Sequence, residues 1–395
     1  MFIPYIIFAL DIANFVCFSS VYVPQVLALN GPYTFFGITG TATAFFSFLW
    51  KPIAGRLSDE KGPTLLLFWC LFGGLVGTIL SYLSGSLYFL FFARLIASFG
   101  SPSQIILRTI LTQLDAENQA QHVSRLGIIG ALIGVGAALL SGHLLELSNG
   151  FFYLYSIIIL NSILSLGFVK LLPVIQPNKK EESELSKPVL EEITTALRNL
   201  KTYSTSATYS HVFLLKTLTA ISYGIPDMNM VLIFNSLGIK QKNIAYMFTI
   251  MCVVTVLSNI ALLKINKRYY SADIGYRRIF HSCLLLAAAN GVLGVTSNLW
   301  IYISFILIIS CSRVQTDNTT MELLLQKIGA DEKAVVLGCF DSIQSLSDLL
   351  CPMISSLALQ FLGMHSVYTI SAIFITLCSG IVYRAQSSTE KIKNQ

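Results

Sequence analysis

Charge is the scarcest feature of this sequence: Asp, Glu, Lys and Arg make up 12% of its 395 residues, about half their share in an average soluble domain. That scarcity excludes an ordinary water-soluble globule. Strict alternation of apolar and polar residues is absent too, which excludes a membrane-spanning β-barrel. The cysteines form no CxxC pair: Cys17, Cys70, Cys252, Cys283, Cys311, Cys339, Cys351 and Cys378 all fall inside apolar runs, which argues against disulfides and metal sites. G-x-S-x-G, H-E-x-x-H and paired G-x-G-D motifs are missing, so the sequence does not read as an enzyme. His122, His143, His211, His281 and His365 lie scattered near the ends of apolar runs, where an interfacial role suits them better than metal ligation. No basic segment precedes the first apolar run, and Asp11 interrupts it. Residues 1–20 therefore read as a membrane span and not as a signal peptide, and the chain is expected to start almost inside the membrane.

What is present is hydrophobic, 54% of the residues. A bilayer core of ~30 Å needs roughly 20 apolar residues per helix. Runs of that kind occupy 2–23, 35–54, 64–82, 87–107, 126–146 and 151–170, then 210–235, 244–263, 279–297, 299–324, 336–360 and 366–383. The expectation is an all-α membrane protein of twelve transmembrane helices in two pseudo-symmetric six-helix bundles, 1–170 and 210–383. A cytoplasmic linker, 171–209, would join them, and 384–395 would form a cytoplasmic tail.

Lys and Arg set the orientation. Placing both termini on one side puts Lys51, Arg56, Lys61, Arg108, Arg125, the linker cations, Lys264, Lys267, Arg268, Arg277, Arg278, Lys327, Lys333 and Arg384 on that side, and leaves only Lys240 and Lys242 opposite. By the positive-inside rule both termini are cytoplasmic, in the plasma membrane or an organelle membrane. The same bias accounts for the net charge of +6, so nucleic acid is not an expected partner. Within the linker, Val189, Ile193, Leu197 and Leu200 recur at helical spacing after Pro188, which predicts a short amphipathic helix at the membrane surface.

The two halves echo each other. Arg94 lies in the fourth run and Arg313 in the tenth. An acidic turn follows each, DAEN at 115–118 and ADEK at 330–333, and then a Leu-Gly pair, Leu126-Gly127 and Leu337-Gly338. Repeats of this kind mark transporter folds, with the substrate site near the midplane. Every third run carries ionisable residues in its interior: Asp11; Arg94; Lys216 with Asp227; Arg313 with Asp317. Such groups are costly in hydrocarbon and turn toward a cavity or toward each other. Helical spacing puts Asp11, Asn14, Phe18, Tyr22 and Gln25 on one face, and Lys216, Thr219, Tyr223 and Asp227 on another. Arg313 and Asp317 are an i, i+4 pair, and Asp341, Gln344, Ser345, Asp348 and Ser355 form a polar stripe. The interior carboxylates outnumber the interior cations, which favours proton coupling or a cationic substrate.

GRLSDEKGP, residues 55–63, joins the second and third runs. With Gly55, Leu57, Asp59 and Gly62 in the register G-x-L-x-D-x-x-G, the sequence resembles the major facilitator superfamily. Arg94 matches the arginine that the family places in its fourth span. Gly130 and Gly134 resemble the spacing of the family's antiporter motif, without its proline. FLLKTLTAISYGIP and TDNTTMELLLQKIGADEKAVVLG are similar to the organic-cation-transporter-like and tetracycline-efflux-like branch, and Asp11 falls where that branch has an acid. The resemblance implies a secondary transporter of small organic solutes, organic cations or drugs foremost, working by alternating access with proton antiport. Its pathway would include Asp11, Asn14, Arg94, Lys216, Tyr223, Asp227, Arg313, Asp317, Asp341 and Asp348. It also implies a conformational latch of Gly55, Arg56, Asp59, Gly62 and Arg108, with Asp59 meeting the N-terminus of the eleventh span just after Glu332, the two glycines permitting tight turning in a nine-residue loop. No cofactor beyond a proton gradient is expected; the partners are the solute and the bilayer, and the protein is expected to be a monomer. The alternatives are a facilitated uniporter, an organic anion importer using Arg94, Lys216 and Arg313, or a transport-dead receptor or scaffold.

Overall fold

The computed structural model describes residues 2–114, 119–173, 189–206, 208–270, 275–328 and 333–393. Among them there is helix and no strand. Each of the apolar runs lies on helix, and nine of the segments are long and apolar enough to cross a membrane. The second, seventh and ninth expected spans are not among the nine. The second helix carries Lys51, Arg56, Asp59, Glu60 and Lys61 in its latter half. The seventh holds Lys216 and Asp227, and the ninth opens on Arg277 and Arg278.

The chain divides into two compact units. The first comprises Met1–Pro32, Ala42–Ile193 and Ile239–Thr249; the second comprises Tyr33–Thr41, Thr194–Gly238 and Ile250–Gln395. The first unit contains α1 (Phe2–Ala28), most of α2 (Tyr33–Lys61), α3 (Pro63–Tyr82), α4 (Leu87–Ala97), a 3-10 turn (Ser98–Gly100), α5 (Ser103–Leu114), α6 (Gln119–Leu144) and α7 (Gly150–Val169). After α8 (Val189–Thr205), the second unit contains α9 (Ser210–Met228), α10 (Met230–Ser236), most of α11 (Gln241–Tyr269), α12 (Tyr276–Leu293), α13 (Leu299–Leu325), α14 (Lys333–Leu362) and α15 (Met364–Lys393).

In the first unit α1 packs on α6 and α7, and α3 on α4 and α7. Ile7, Phe8, Leu67, Leu107, Ile110 and Leu126 form one core cluster, and Cys17, Val21, Leu154, Tyr155 and Ile158 form a second. Close approach of α3 and α4 depends on small residues: a Cβ at Gly77 would fall against the backbone of Ala97, and a Cβ at Gly100 would lie 3.5 Å from Gly74 Cα. Residues 239–249 join this unit through α6, where Gly142 lies against Ala245 and Gln241 and the Tyr246 hydroxyl is 3.1 Å from His143 Nε2. In the second unit Val212, Phe213, Leu286, Leu323, Phe340 and Ile375 share one large core. Leu200 and Tyr203 of α8 pack against it, while the side chains of Val189, Ile193 and Leu197 lie outside the described residues. The start of α2 belongs here: Gly37 and Gly40 lie against Pro352 and Ser356 of α14, and Thr41 Oγ1 donates to the Leu349 carbonyl at 3.0 Å. Asn229 interrupts the helix between α9 and α10, and its buried amide is hydrogen-bonded to the hydroxyls of Ser355 and Ser356 at 3.0 Å.

The joint at 55–63 differs from the expected loop. Residues 55–61 are the last two turns of α2, where Arg56 and Glu60 pair across one turn at 2.8 Å, an i, i+4 contact that favours helix. Gly55 is helical and has nothing near its missing Cβ, so it does no turning. The reversal falls on Gly62 alone, at φ 91°, and Pro63 opens α3 at the position where its fixed φ suits a helix start. At 1.5 Å per residue the 29 residues of α2 reach about 43 Å, longer than a hydrocarbon core of ~30 Å.

The seam between α3 and α4 yields a test. Gly77→Val should destabilise the protein by about 1–3 kcal/mol through overpacking, read as a lower thermal midpoint in detergent. Gly127→Ala, where the new methyl meets nothing, should leave the midpoint unchanged or raise it slightly.

Candidate functional site

Most of the ionisable side chains expected in the pathway gather in two groups, one in each unit. In the first unit polar side chains radiate from a single face of α1. Asp11 accepts a hydrogen bond from Ser103 Oγ at 2.8 Å, and the Gln104 side chain lies beside its carboxylate. The residues SPSQ, 101–104, follow the 3-10 turn that breaks α4 from α5, and the break is what delivers a hydroxyl and an amide to α1 at this level. Among the described residues no Lys or Arg forms an ion pair with Asp11. One turn on, Asn14 Nδ2 donates to Ser162 Oγ at 3.1 Å. Gln25 Nε2 donates to the Ser81 carbonyl at 2.8 Å, and Tyr155 donates its hydroxyl to the Gln25 carbonyl oxygen.

Arg94 points from α4 onto the same face. Its guanidinium carbon lies 4.5 Å from the Phe18 ring centroid and 4.3 Å from that of Tyr22. Its Nε makes no hydrogen bond, and no acid pairs with it among the described residues. The charge is held by ring faces, a contact worth roughly 0.5–2 kcal/mol and most favourable where water is excluded. Asp11 and the Arg94 guanidinium thus lie along one face of α1, and among the described residues neither forms an ion pair. Seven residues separate Asp11 from Phe18, a rise of about 10 Å.

The second unit treats its charges differently. Arg313 of α13 forms an ion pair with Asp227 of α9, and its Nε lies 3.8 Å from Asp317 Oδ2. Its guanidinium carbon stands 4.7 Å from the Tyr223 ring centroid. Lys216, on the same face of α9, interacts electrostatically with Asp317 and lies 5.5 Å from the Phe340 ring. The sequence spacing picks out Arg313 with Asp317; the closer partner is Asp227, on another helix. Side-chain exposure is 37% for Arg313, 41% for Asp227 and 38% for Asp317, so the cluster is open. Charged groups at membrane depth face water or protein rather than lipid.

The remaining expected residues stand apart from these two groups. Asp348 accepts from Gln344 Nε2 at 3.0 Å, Ser355 is engaged with Asn229, and Asp341 is exposed with no partner among the described residues. The polar stripe of α14 therefore splits among three tasks. Arg56 turns to Glu60, and Arg108 is exposed on α5. The side chain of Asp59 and residues 329–332, where its expected helix partner begins, lie outside the described residues. Ser103, Gln104 and Ser162 are not legible as partners from spacing, although Ser103 and Gln104 are conspicuous as the polar pair in an apolar run.

Comparison with known proteins bears on fold and family. No relative was found among curated protein sequences. Solved structures do align over nearly the whole chain. A peptide transporter in complex with alafosfalin superposes with a TM-score of 0.76 at 11% identity, covering 98% of this chain and 94% of that one. The nucleoside transporter NupG gives 0.73 at 15%, covering 98% and 99%. The human organic anion transporter MFSD10 (TETRAN) gives 0.67 at 15%, covering 96% and 98%. Identities this low carry the fold and not the cargo. The sequence profile of the Major Facilitator Superfamily matches residues 4–348, most of the chain and both units, and this multi-pass membrane protein is accordingly a member of the Major Facilitator Superfamily, a transporter and not an enzyme.

Proposed function

We propose that the protein is a secondary active transporter of small organic solutes, organic cations foremost, that exchanges its substrate for protons by alternating access. In this reading twelve spans form two six-helix halves, 1–170 and 210–383, joined by the linker 171–209, with both termini in the cytosol. The chain acts as a monomer and needs no cofactor other than a proton gradient.

The observation that carries it is the contrast between Asp11 and the acids of the second unit. Asp227 and Asp317 share Arg313. Asp11 is held by the Ser103 hydroxyl, with the neutral Gln104 side chain beside it, and no cation is paired to it among the described residues. A carboxylate whose partners are neutral can take or lose a proton without leaving a cation stranded, whereas protonating Asp227 would strand Arg313. Asp11 is therefore the proton-carrying group of this reading, and the open acids of the second unit serve the cationic substrate.

A second reading rests on Arg94. Its guanidinium has an unbonded Nε and no acidic partner among the described residues, an arrangement that would suit an organic anion. The similarity in fold to a transporter of organic anions is compatible with it but does not select it.

Proteoliposomes with an imposed pH gradient separate the two. Asp11→Asn should abolish gradient-driven accumulation of organic cations while one-for-one exchange of internal and external substrate continues. Normal pH-driven accumulation by that variant would overturn the proton role. Accumulation of organic anions by the parent protein, lost in Arg94→Gln, would establish the second reading instead.

The charged turns at the end of α2 act in this scheme as a conformational latch, with Asp59 near a helix N-terminus. Such a contact is worth about 0.3–1 kcal/mol when exposed and up to ~2 when partly buried, enough to shift a balanced two-state equilibrium several-fold. Asp59→Asn should slow turnover several-fold and leave substrate affinity unchanged. A variant that matches the parent in turnover would reduce Asp59 to a solvated surface charge.

A further inference from the structure

The charged cluster of the second unit has the parts of a cation receptor, and one of them is an occupant. A site for an organic cation needs an aromatic face and carboxylates placed at its edge. Tyr223 supplies the face, and Asp227 of α9 and Asp317 of α13 supply the carboxylates. What fills the space is the guanidinium of Arg313, paired with Asp227, with its Nε 3.8 Å from Asp317 and its carbon 4.7 Å from the ring centroid. More than a third of each of these three charged side chains is exposed, so a competing cation has access. The Tyr223 hydroxyl is buried and makes no hydrogen bond, which leaves the ring face as that residue's contribution.

We propose that Arg313 is a built-in occupant of a cation site formed by Tyr223, Asp227 and Asp317, and that guanidinium-type and primary ammonium solutes bind there by displacing it. The proposal rests on the reading of the protein as an organic-cation transporter and names the substrate class of its second-unit site. The two carboxylates call for N–H donors, which a guanidinium or a primary ammonium offers and a quaternary ammonium lacks. Lys216 does not replace Arg313 in this role, since it lies against Phe340 and makes no ion pair among the described residues. Its charge nonetheless partly compensates the two acids once Arg313 has moved away. A tethered occupant weakens every competing ligand, because each must displace a group that the fold holds in place; it also keeps two carboxylates from facing each other unpaired in the empty transporter.

The test is equilibrium binding of phenylguanidine to purified protein in detergent, with no pH gradient, so that its outcome is independent of whether Asp11 couples transport to protons. Arg313→Ala should bind phenylguanidine at least tenfold more tightly than the parent. Asp227→Asn placed on top of Arg313→Ala should lose that gain. Tetramethylammonium should show a much smaller gain than phenylguanidine. Should Arg313→Ala fold poorly, millimolar guanidinium should raise its thermal midpoint while leaving that of the parent unchanged. Phenylguanidine binding that is unchanged or weaker in folded Arg313→Ala, or an Arg313→Ala midpoint indifferent to guanidinium, would overturn the proposal and make Arg313 a structural neutraliser of its acids. A loss of benzoate binding in Arg313→Ala would likewise overturn it, by making the guanidinium a ligand for anions.

Discussion

A charged side chain in a membrane-spanning helix costs several kcal/mol unless it finds an opposite charge, a ring face, a neutral hydrogen-bonding partner or water. The interior of this protein is arranged around that cost. Arg94 meets it with the rings of Phe18 and Tyr22, Asp11 with the Ser103 hydroxyl, and Arg313 with two carboxylates and a third ring. The 3-10 turn between α4 and α5 carries Ser103 to α1, and small residues let α3 and α4 approach closely.

The two solutions have different consequences for function. Neutral partners leave a charge free to change, because losing it strands nothing; charged partners lock one another, because changing one leaves the other uncompensated. In the proposed exchange of a proton for an organic cation, the first unit would supply the titratable group, Asp11, and the second the charged receptor around Arg313. That division is a stronger guide to mechanism than similarity to solved structures, whose named cargoes include peptides, nucleosides and organic anions on the same fold.

Helicity and membrane residence were legible in the sequence because apolar runs of span length leave a chain little choice but helix. The polar faces of α1 and α9 were legible for a related reason, since i, i+4 and i, i+7 spacing is a property of one helix. Partners on other helices were not. Asp317 presents itself as the mate of Arg313 because it lies one turn away, yet Asp227, eighty-six residues distant, makes the closer contact. The joint at 55–63 reads as a loop because glycine and charge together suggest one, whereas the Arg56–Glu60 pair and the single reversal at Gly62 let the helix run on. Nor does the linear order of the spans reveal that Tyr33–Thr41 groups with α14 and Ile239–Thr249 with α6. Those groupings rest on glycines whose lost side chains matter only once the facing helix is known.

The central claim is that movement of an organic cation and movement of a proton are one event. Proteoliposomes loaded with a pH-sensitive dye, at equal internal and external pH and without a membrane potential, measure it directly on addition of an outside organic cation. Stoichiometric acidification of the outer medium and alkalinisation of the lumen, as entering cation exchanges for leaving protons, is the expected result. Entry of the same cation with no change in lumenal pH would contradict the account and leave a facilitated carrier in its place.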